Sequence, residues 1–349
     1  MTPGPTPTAT TSATGTPTTG IPTTGTSTAE TAAPGGKLDE QALPWHEIRC
    51  VQPGESGVFV LERLCGRWRR AWLRLLRPSY VARMRSLRKG KCLDCSHDIL
   101  DPRDVKLYRN VCGYWFAQQD DPFRWRDRLP FARMGLAEVV VLGGGSLAVG
   151  VLLLFTAPLL AVLPFAFALF ILWFFRDPPR QIPGDPNAIL SPCDGVVDEI
   201  VELPECPVLE GPVLRIGISL SLFNVHINRT PIHSRVAAVH YFRGVYKNAM
   251  RKGDHSNNEQ LWTVYAPAAA PEHPIAVRQI AGPVARRIVC EVRTGQKLAA
   301  GAPFGMIKFG SRTELYLPAG AGYEPKVHLG MRVRGGQIVL GRLSTMLPR

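Results

Sequence analysis

A glycine followed by a serine, Gly310-Ser311, lies between two strand-like segments of this 349-residue chain. The segments are Met306 to Phe309 and Thr313 to Leu317, and an extended chain must bend between them. Glycine allows backbone angles that other residues resist, so strain can be concentrated on one peptide bond. The serine oxygen can attack that carbonyl to give an ester, which eliminates to dehydroalanine and hydrolyses to a pyruvoyl group. By itself, however, a Gly-Ser pair indicates only a turn.

Two further side chains could assist such an attack. Asp194 lies in a tight turn before a predicted strand, where a carboxylate usually caps local N–H groups. His226 lies between Val225 and Ile227 on a predicted strand, and a single strand histidine is most often structural. In combination with Ser311, however, a carboxylate can orient an imidazole, and the imidazole can take a proton from a hydroxyl. The residue types therefore allow a catalytic triad, provided that the fold brings them together.

Four motifs that contain these residues follow one another along the second half of the chain. They are Phe174-Phe175-Arg176-Asp177-Pro178, Leu190-Ser191-Pro192-Cys193-Asp194-Gly195, Phe223-Asn224-Val225-His226-Ile227-Asn228-Arg229 and Phe309-Gly310-Ser311-Arg312. In this order they resemble the phosphatidylserine decarboxylase proenzymes, and in particular the short, archaeal-type branch of that family. The resemblance extends from about residue 174 to residue 343.

The resemblance implies an enzyme that decarboxylates phosphatidylserine to phosphatidylethanolamine and carbon dioxide. In the family the matching residues form the self-cleavage triad, so the resemblance assigns these roles to Asp194, His226 and Ser311. It implies autocatalytic cleavage between Gly310 and Ser311, which makes a covalent pyruvoyl cofactor from Ser311. The large and small chains would remain together as a heterodimer. The expected partners are phosphatidylserine and a membrane, with no nucleic acid and no metal ion.

One position departs from the longer bacterial branch, which has a second histidine where this chain has Phe223. If that histidine assists decarboxylation there, another residue must do so here. His233, Tyr246 and His255 are candidates by position alone. Lys247 is a candidate for binding the substrate phosphate, with His233 as a second substrate contact, although a loop lysine is more often simply solvated.

A run of 37 residues, Val139 to Phe175, has no charged side chain. As one straight helix it would be about 55 Å long, far more than a hydrocarbon core of about 30 Å. Pro158 and Pro164 lie where the chain would have to reverse, and proline interrupts a helix. We therefore expect two helices, at 139–157 and 159–175, that form a transmembrane hairpin. A buried helical pair in a soluble core is the alternative.

Arginines flank this run on both sides. Basic residues at both ends favour leaving both ends in the cytoplasm. The expected location is the cell membrane, with a cytoplasmic catalytic domain. The chain does not start with basic residues followed by an apolar run, so a cleavable signal peptide is not expected. The flanking arginines are Arg124, Arg126, Arg128 and Arg133 before the run and Arg176 and Arg180 after it.

The formal net charge of +13 is concentrated near the N-terminal side of the chain. Between Leu61 and Lys91, eleven basic residues face one acidic residue, Glu62. Apolar residues that include Trp68 and Trp72 recur there at helical spacing, with arginines elsewhere on the wheel. Such a helix suits an anionic membrane surface. Packing on the protein itself and binding of nucleic acid are the alternatives.

The eight cysteines show no spacing typical of a disulfide framework. Cys92, Cys95, His97 and Cys112 could bind one zinc ion, because two thiolates separated by two residues can hold a metal from a single turn. A second such pair is missing. Free thiols in a reducing compartment are therefore the favoured interpretation.

After Phe175 the chain consists of short apolar runs separated by glycine and proline turns, which predicts mostly β-structure. The fold class is thus α+β, with a mostly β catalytic domain (a sandwich or barrel-like sheet) preceded by an N-terminal transmembrane helical hairpin. The expected domains are a disordered Thr/Pro-rich tail (1–36), a basic juxtamembrane region (37–135), the membrane hairpin (136–175) and the catalytic domain (176–349). The predicted strands are Val196–Val201, Val213–Ser219, Val236–Phe242, Ile275–Ala281, Ile288–Val292 and Gln337–Leu340.

Two alternatives to a decarboxylase remain open at this point. The first is a membrane-anchored Ser/His/Asp hydrolase, which would need an intact Ser311. The second is a non-enzymatic binding module, because residues 293–298 and 330–337 resemble each other and the turns of lipoyl- or biotinyl-carrier sheets. A Met-Lys-Met type modification site, which such a carrier would need, is missing.

Overall fold

A computed structural model gives the architecture of residues 57–91, 98–108, 112–242, 244–246, 255, 257–282, 288–308 and 311–344, apart from the Phe59 side chain. The predicted tail (1–36) and the zinc candidates Cys92, Cys95 and His97 lie outside these residues. So do Lys247 and Gly310. Cys112, the remaining zinc candidate, is buried with Ile99 and Val105.

Three helices precede the hairpin: α1 (Gly57–Leu76), α2 (Pro78–Leu87) and α3 (Pro102–Tyr108). The predicted basic helix is therefore confirmed as α1, and Trp68 and Trp72 are exposed on it. Arg70 is buried instead, and its Nη1 donates to Asp104 on α3 at 2.9 Å. Part of the arginine-rich face thus packs on the protein itself.

The apolar run forms two helical arms that pack against each other. The first arm contains α4 (Leu136–Glu138), a π-helical segment (Val139–Gly144) and α5 (Gly145–Thr156). The second contains a 3₁₀ turn (Pro158–Ala161) and α6 (Val162–Phe174). The reversal lies at Ala157 and Pro158, as proline at that point predicts. We call these two arms the hairpin.

Fourteen strands form three sheets in the described part of the chain, so the α+β, mostly β prediction is confirmed. The strands are β1 (Ala188–Leu190), β2 (Gly195–Leu203), β3 (Val213–Leu220), β4 (Ile227–Arg229), β5 (Ser234–Phe242), β6 (Gln260–Pro267), β7 (Ile275–Ala281), β8 (Ile288–Cys290), β9 (Lys297–Leu298), β10 (Pro303–Ile307), β11 (Ser311–Pro318), β12 (Tyr323–Pro325), β13 (Arg332–Val333) and β14 (Val339–Leu343).

The largest sheet has eight strands in the order β13-β2-β3-β11-β7-β6-β5-β9 and curls into a half-barrel. Its neighbouring strands are antiparallel throughout. Two three-stranded sheets, β4-β10-β8 and β1-β14-β12, complete the fold. One prediction was misplaced: the last strand is Val339–Leu343 rather than 337–340, because Gln337 and Ile338 still belong to the preceding turn.

The main core lies between the sheets and contains residues such as Ile216, Leu261 and Leu315. A second apolar cluster joins the hairpin to the catalytic domain. In it Ile171 and Phe174 pack with residues that flank or belong to β4, β8 and β10. The members from the catalytic domain are Val225, Ile227, Val289 and Met306. The inner end of the hairpin is thus part of the catalytic domain's interior.

Candidate active site

Ser311 is the first residue of β11, at the centre of the largest sheet. Its strand partners are Leu220 on β3 and Ala281 on β7, so its backbone is held on both sides. The sequence predicted a strand from Thr313, but pairing begins two residues earlier. The Ser311 side chain is fully buried, and its Oγ has no hydrogen-bond partner among the described residues. A buried hydroxyl without a partner is costly in a structure and common at reactive sites.

The chain changes sheets immediately before Ser311. Strand β10 ends at Ile307, in the small sheet with β4 and β8. Only residues 308–310 separate it from β11 in the large sheet. The connection is therefore short and fixed at both ends by strand pairing.

His226 immediately precedes β4 in the chain and lies beside the end of β10. Its carbonyl oxygen accepts a hydrogen bond from the Ile307 N–H at 3.3 Å. The ring Nδ1 lies 2.8 Å from the carbonyl oxygen of Asn224, which can only accept, so Nδ1 carries the proton. Nε2 is therefore the basic nitrogen, and it is buried without a hydrogen-bond partner in the described part of the chain.

The surroundings of His226 keep its imidazole neutral. Burial lowers the pKa of His226 to about 4, while the hydrogen bond to Asn224 and the charge of Asp194 act in the opposite direction. Phe174 of the hairpin covers the ring, with the two ring centroids 4.3 Å apart. A neutral imidazole with a bare Nε2 is the form that a general base requires.

Asp194 is held in the turn before β2. Its two oxygens accept hydrogen bonds from the Gly335 N–H at 2.8 Å and from Arg180 at 3.0 Å. Gly195 is required next to it, because a Cβ there would lie 2.3 Å from the Ser219 carbonyl oxygen. The sequence predicted that Asp194 orients the imidazole, but the Nδ1 hydrogen bond goes to Asn224. The charge of Asp194 raises the pKa of His226, against the larger effect of burial.

A hydrogen-bonded network that the sequence did not predict links the His226 segment to the Ser311 strand. Asn228 donates to the Thr313 hydroxyl at 2.9 Å and accepts from Gln279 at 2.8 Å. Residues two apart on an extended chain face the same side. The contact between 228 and 313 therefore brings the segments that carry His226 and Ser311 next to each other. The period of two in both motifs could have indicated this pairing.

The opposite face of β11 carries buried charges. Arg312 is fully buried and pairs with Asp198 at 2.7 Å, Glu199 at 2.5 Å and Glu314 at 2.9 Å. Arg278 on β7 pairs with Glu314 at 3.0 Å. Although burial alone would raise the pKa of Glu314, these arginines lower it. The network ties β11 to its neighbour β7 and, across β3, to β2, directly after Ser311.

The remaining candidates lie in other surroundings. His233 is exposed just before β5, and its Nδ1 accepts from the Ala300 N–H at 3.5 Å. The Tyr246 hydroxyl donates to Glu259 at 2.5 Å. His255 is buried, and its carbonyl oxygen accepts from Arg278 at 2.9 Å. Phe223, at the position of the missing second histidine, is exposed, and its carbonyl oxygen accepts from Arg176 at 2.9 Å.

Comparisons with known proteins agree with this geometry. A family model described as phosphatidylserine decarboxylase matches residues 167–341. A phosphatidylserine decarboxylase proenzyme of Rhodopirellula baltica is 42% identical over 240 residues, which are 68% of this chain and 98% of that protein. Proteins of the same name from Carboxydothermus hydrogenoformans and Burkholderia pseudomallei are 43% and 40% identical over 185 and 174 residues. These alignments cover 53% and 50% of this chain and 85% and 78% of the two relatives.

The family match includes Asp194, His226 and Ser311 together with the strands that hold them. The match to the Rhodopirellula baltica protein includes nearly the whole of that relative. The chain therefore belongs to the phosphatidylserine decarboxylase family and is a decarboxylase.

Proposed function

We propose that this enzyme decarboxylates phosphatidylserine to phosphatidylethanolamine and carbon dioxide, with a pyruvoyl group made from its own Ser311. The proposal rests on the family and on one observation in the site. The Ser311 hydroxyl and the His226 Nε2 are both buried without a hydrogen-bond partner among the described residues, on segments that the Asn228–Thr313 contact joins. A nucleophile and a base prepared in this way suit self-cleavage.

Self-cleavage would begin when His226 takes the hydroxyl proton of Ser311. The Ser311 oxygen bonds to the Gly310 carbonyl carbon, and the Gly310–Ser311 C–N bond breaks as the nitrogen takes up a proton. Elimination then removes the Cα proton of residue 311 to a base and breaks the Cβ–O bond, which leaves a Gly310 carboxylate and dehydroalanine at position 311. One water replaces the nitrogen, which leaves as ammonia. The negative charge of Asp194 stabilises the imidazolium that forms transiently at His226.

Position 311 fits the resulting pyruvoyl group, because the side chain is enclosed and the backbone is paired on both sides. When present, the group supplies a carbonyl that takes up the electron pair released as carbon dioxide leaves. In this proposal His226 Nε2 returns a proton to the substrate carbon. Lys247 and His233 remain candidates for contacting the substrate head group.

The two chains would stay together after cleavage. The small chain, residues 311–349, contributes β11 to β14. Strand β11 is paired along its length with β3, while β13 pairs with β2 and β14 with β1. These partners, and β7 on the other side of β11, belong to the large chain, so separation would break four strand pairings. This topology supports the proposal that the two chains remain together as a heterodimer.

We also propose that the hairpin inserts into the cell membrane and leaves the catalytic domain on the cytoplasmic side. The helical run Arg133–Thr156 has 24 residues. Its most apolar 18-residue window has a mean hydropathy of 2.3, and only 11% of that window is buried. Its part beyond the buried Glu138, residues 139–156, is about 27 Å long at about 1.5 Å per residue and so nearly matches a core of about 30 Å. Pro158–Phe174 is the shorter returning arm. Anchoring the enzyme there replaces a search for the lipid in solution by local encounter.

Intact-mass analysis tests the proposed cleavage. The wild-type protein should give two polypeptides, the smaller one beginning at position 311 with a blocked amino terminus. Ser311→Ala should give one full-length chain and no release of carbon dioxide from phosphatidylserine, since no hydroxyl is left to attack. Ser219→Ala is the matched control, because this serine lies on the neighbouring β3 opposite Arg312. It should be cleaved as the wild type is.

A single uncut wild-type chain with esterase activity would instead support the hydrolase alternative. Cleavage of the Ser311→Ala variant at the same bond would contradict the role of the serine.

A further inference from the structure

A buried ion pair joins the inner end of the hairpin to the segment that precedes the cleavage site. Glu138 is the last residue of α4 and is followed directly by the π-helical segment Val139–Gly144. Its Oε1 lies 2.5 Å from the Nζ of Lys308. Both side chains are almost completely buried. The two residues are 170 positions apart in the sequence, so the pair exists only in the folded protein.

The position of Lys308 makes this pair relevant to the reaction. It follows β10 directly and precedes the Gly310 carbonyl by two residues. On one side, Ile307 is fixed by β8 and by the His226 carbonyl oxygen. On the other side, Ser311 is fixed between β3 and β7. The side chain of Lys308, which is the described residue of this short connection, is anchored to a different part of the molecule.

The surroundings of the pair are apolar. The Lys308 ammonium lies 6.0 Å from the centre of the Phe175 ring. Met306, two residues earlier, packs in the cluster that also contains Ile171 and Phe174. In such surroundings an ion pair is weakly screened, so removing the Glu138 charge weakens the hold on the Lys308 ammonium. The ammonium would then move, and the backbone at 308 would move with it.

We propose that Glu138 is a positioning residue for self-cleavage, which acts by holding Lys308 and thereby the Gly310 carbonyl in line with Ser311. This inference rests on the proposed cleavage at Gly310–Ser311. It also gives the hairpin a role in maturation in addition to any role in the membrane. Because a displacement of about 1 Å at a reacting group can slow a reaction about 100-fold, Glu138→Gln should slow cleavage by about 10- to 100-fold.

The experiment measures how fast newly made, radiolabelled precursor is converted into two chains in the presence of lipid nanodiscs. The wild type, Glu138→Gln, Lys308→Gln and the double variant form a double-mutant cycle. Asp104→Asn is the control, because it removes a buried acid that pairs with Arg70, outside the hairpin. Each variant is also made with Ser311→Ala, so that the thermal stability of uncut precursors can be compared.

The proposal predicts slow cleavage in both single variants and no further slowing in the double variant, because either change breaks the same contact. The Asp104→Asn variant should be cleaved at the wild-type rate, even if its melting temperature falls as far as that of the Glu138→Gln variant. If Glu138→Gln precursor does not fold, Glu138→Asp keeps the charge with a shorter reach and should fold and mature slowly. Cleavage at the wild-type rate in the folded Glu138 variant, or additive effects in the cycle, would overturn the proposal. An uncut wild type would refute the proposed cleavage itself.

Discussion

The two ends of the hairpin both carry large apolar side chains but lie in opposite surroundings. At the turn between the arms, Phe155 and Leu159 are 84% and 88% exposed. At the other end, Ile171, Phe174 and Phe175 are fully buried against the catalytic domain. The same residue type thus faces outward at the tip and forms protein interior at the base.

This difference supports separate roles for the two ends, the tip in the proposed attachment to the membrane and the base in the catalytic domain. Exposed apolar side chains in such number at the tip need a non-aqueous environment, which the bilayer would supply. The base needs none, because Phe174 packs on His226 and Glu138 pairs with Lys308. Changes at the base should therefore affect the site, whereas changes at the tip should affect only the attachment to lipid.

The largest effect is expected from two phenylalanine substitutions on the same hairpin. Phe174→Ala leaves a cavity next to the His226 ring, and such truncations cost about 3–5 kcal/mol of unfolding free energy. Phe155→Ala removes an exposed side chain and should change the stability of the catalytic domain by less than about 0.5 kcal/mol. Denaturant unfolding of the two variants in a Ser311→Ala background, in nanodiscs, measures both values.

The same pair of variants, with Ser311 restored, separates packing from chemistry. Phe174→Ala should also slow conversion into two chains, because water entering the cavity can hydrogen-bond to Nε2. Phe155→Ala should mature normally. Equal losses of stability in both variants would show that Phe174 contributes no more to the packing of the catalytic domain than the exposed Phe155 does.

The next largest effect is a pH dependence of the folding stability, which originates from His226 at the base of the hairpin. His226 has a folded pKa of about 4 because it is buried, whereas an unfolded histidine titrates near 6.5. Between these pH values the unfolded chain binds the proton and the folded chain does not. The contribution of the neutral His226 to the free energy of unfolding is therefore fully present above pH 6.5 and decreases as the pH falls toward 4. The decline attributable to this residue is about 3 kcal/mol. Below about pH 4 this loss of stability does not increase further.

Unfolding of the Ser311→Ala precursor across this pH range gives the measurement, and His226→Gln in that background is the comparison. The variant should lack this part of the pH dependence. Self-cleavage of the wild type should likewise be independent of His226 protonation from about pH 5 upward. An inflection in the cleavage rate near pH 6.5 would indicate a solvated His226 and a more open base.

Most of the sheet and the position of the hairpin could be predicted from the sequence. Ile275–Ala281 was predicted to the residue as β7, and Val213–Ser219 differs by one residue from β3. These strands alternate or run apolar between glycine and proline turns, so local pattern is sufficient. The hairpin reversal at Pro158 follows from the chemistry of proline.

The contacts that complete the site could not be predicted in this way. Hydropathy gives Phe155 and Phe174 the same value, so it cannot indicate which one covers His226. The Nδ1 hydrogen bond of His226 goes to its own chain neighbour Asn224, and Asp194 is engaged by Arg180 instead. Such choices depend on distances between segments that are remote in sequence. Motifs identify the reacting residues, but the tertiary fold decides their partners.

The smallest effect is expected within the hairpin itself, midway between base and tip. A Cβ at Gly150 would lie 2.8 to 3.0 Å from three ring atoms of Phe165 on the opposite arm, whereas a Cβ at Gly145 would meet nothing within 4 Å. Gly150→Ala should therefore force the arms apart or displace the ring, at a cost of about 1 kcal/mol.

Gly145→Ala should stabilise the first arm by up to about 1 kcal/mol, because alanine is the better helix former. Thermal unfolding in nanodiscs distinguishes the two variants by the opposite signs of their shifts. Neither should alter the rate of self-cleavage, because the ion pair at Glu138 and the packing of Phe174 lie on the base side of both glycines. If Gly150→Ala slowed cleavage as much as Phe174→Ala, the separation between base and tip would be lost, and the whole hairpin would act on the site as one rigid unit.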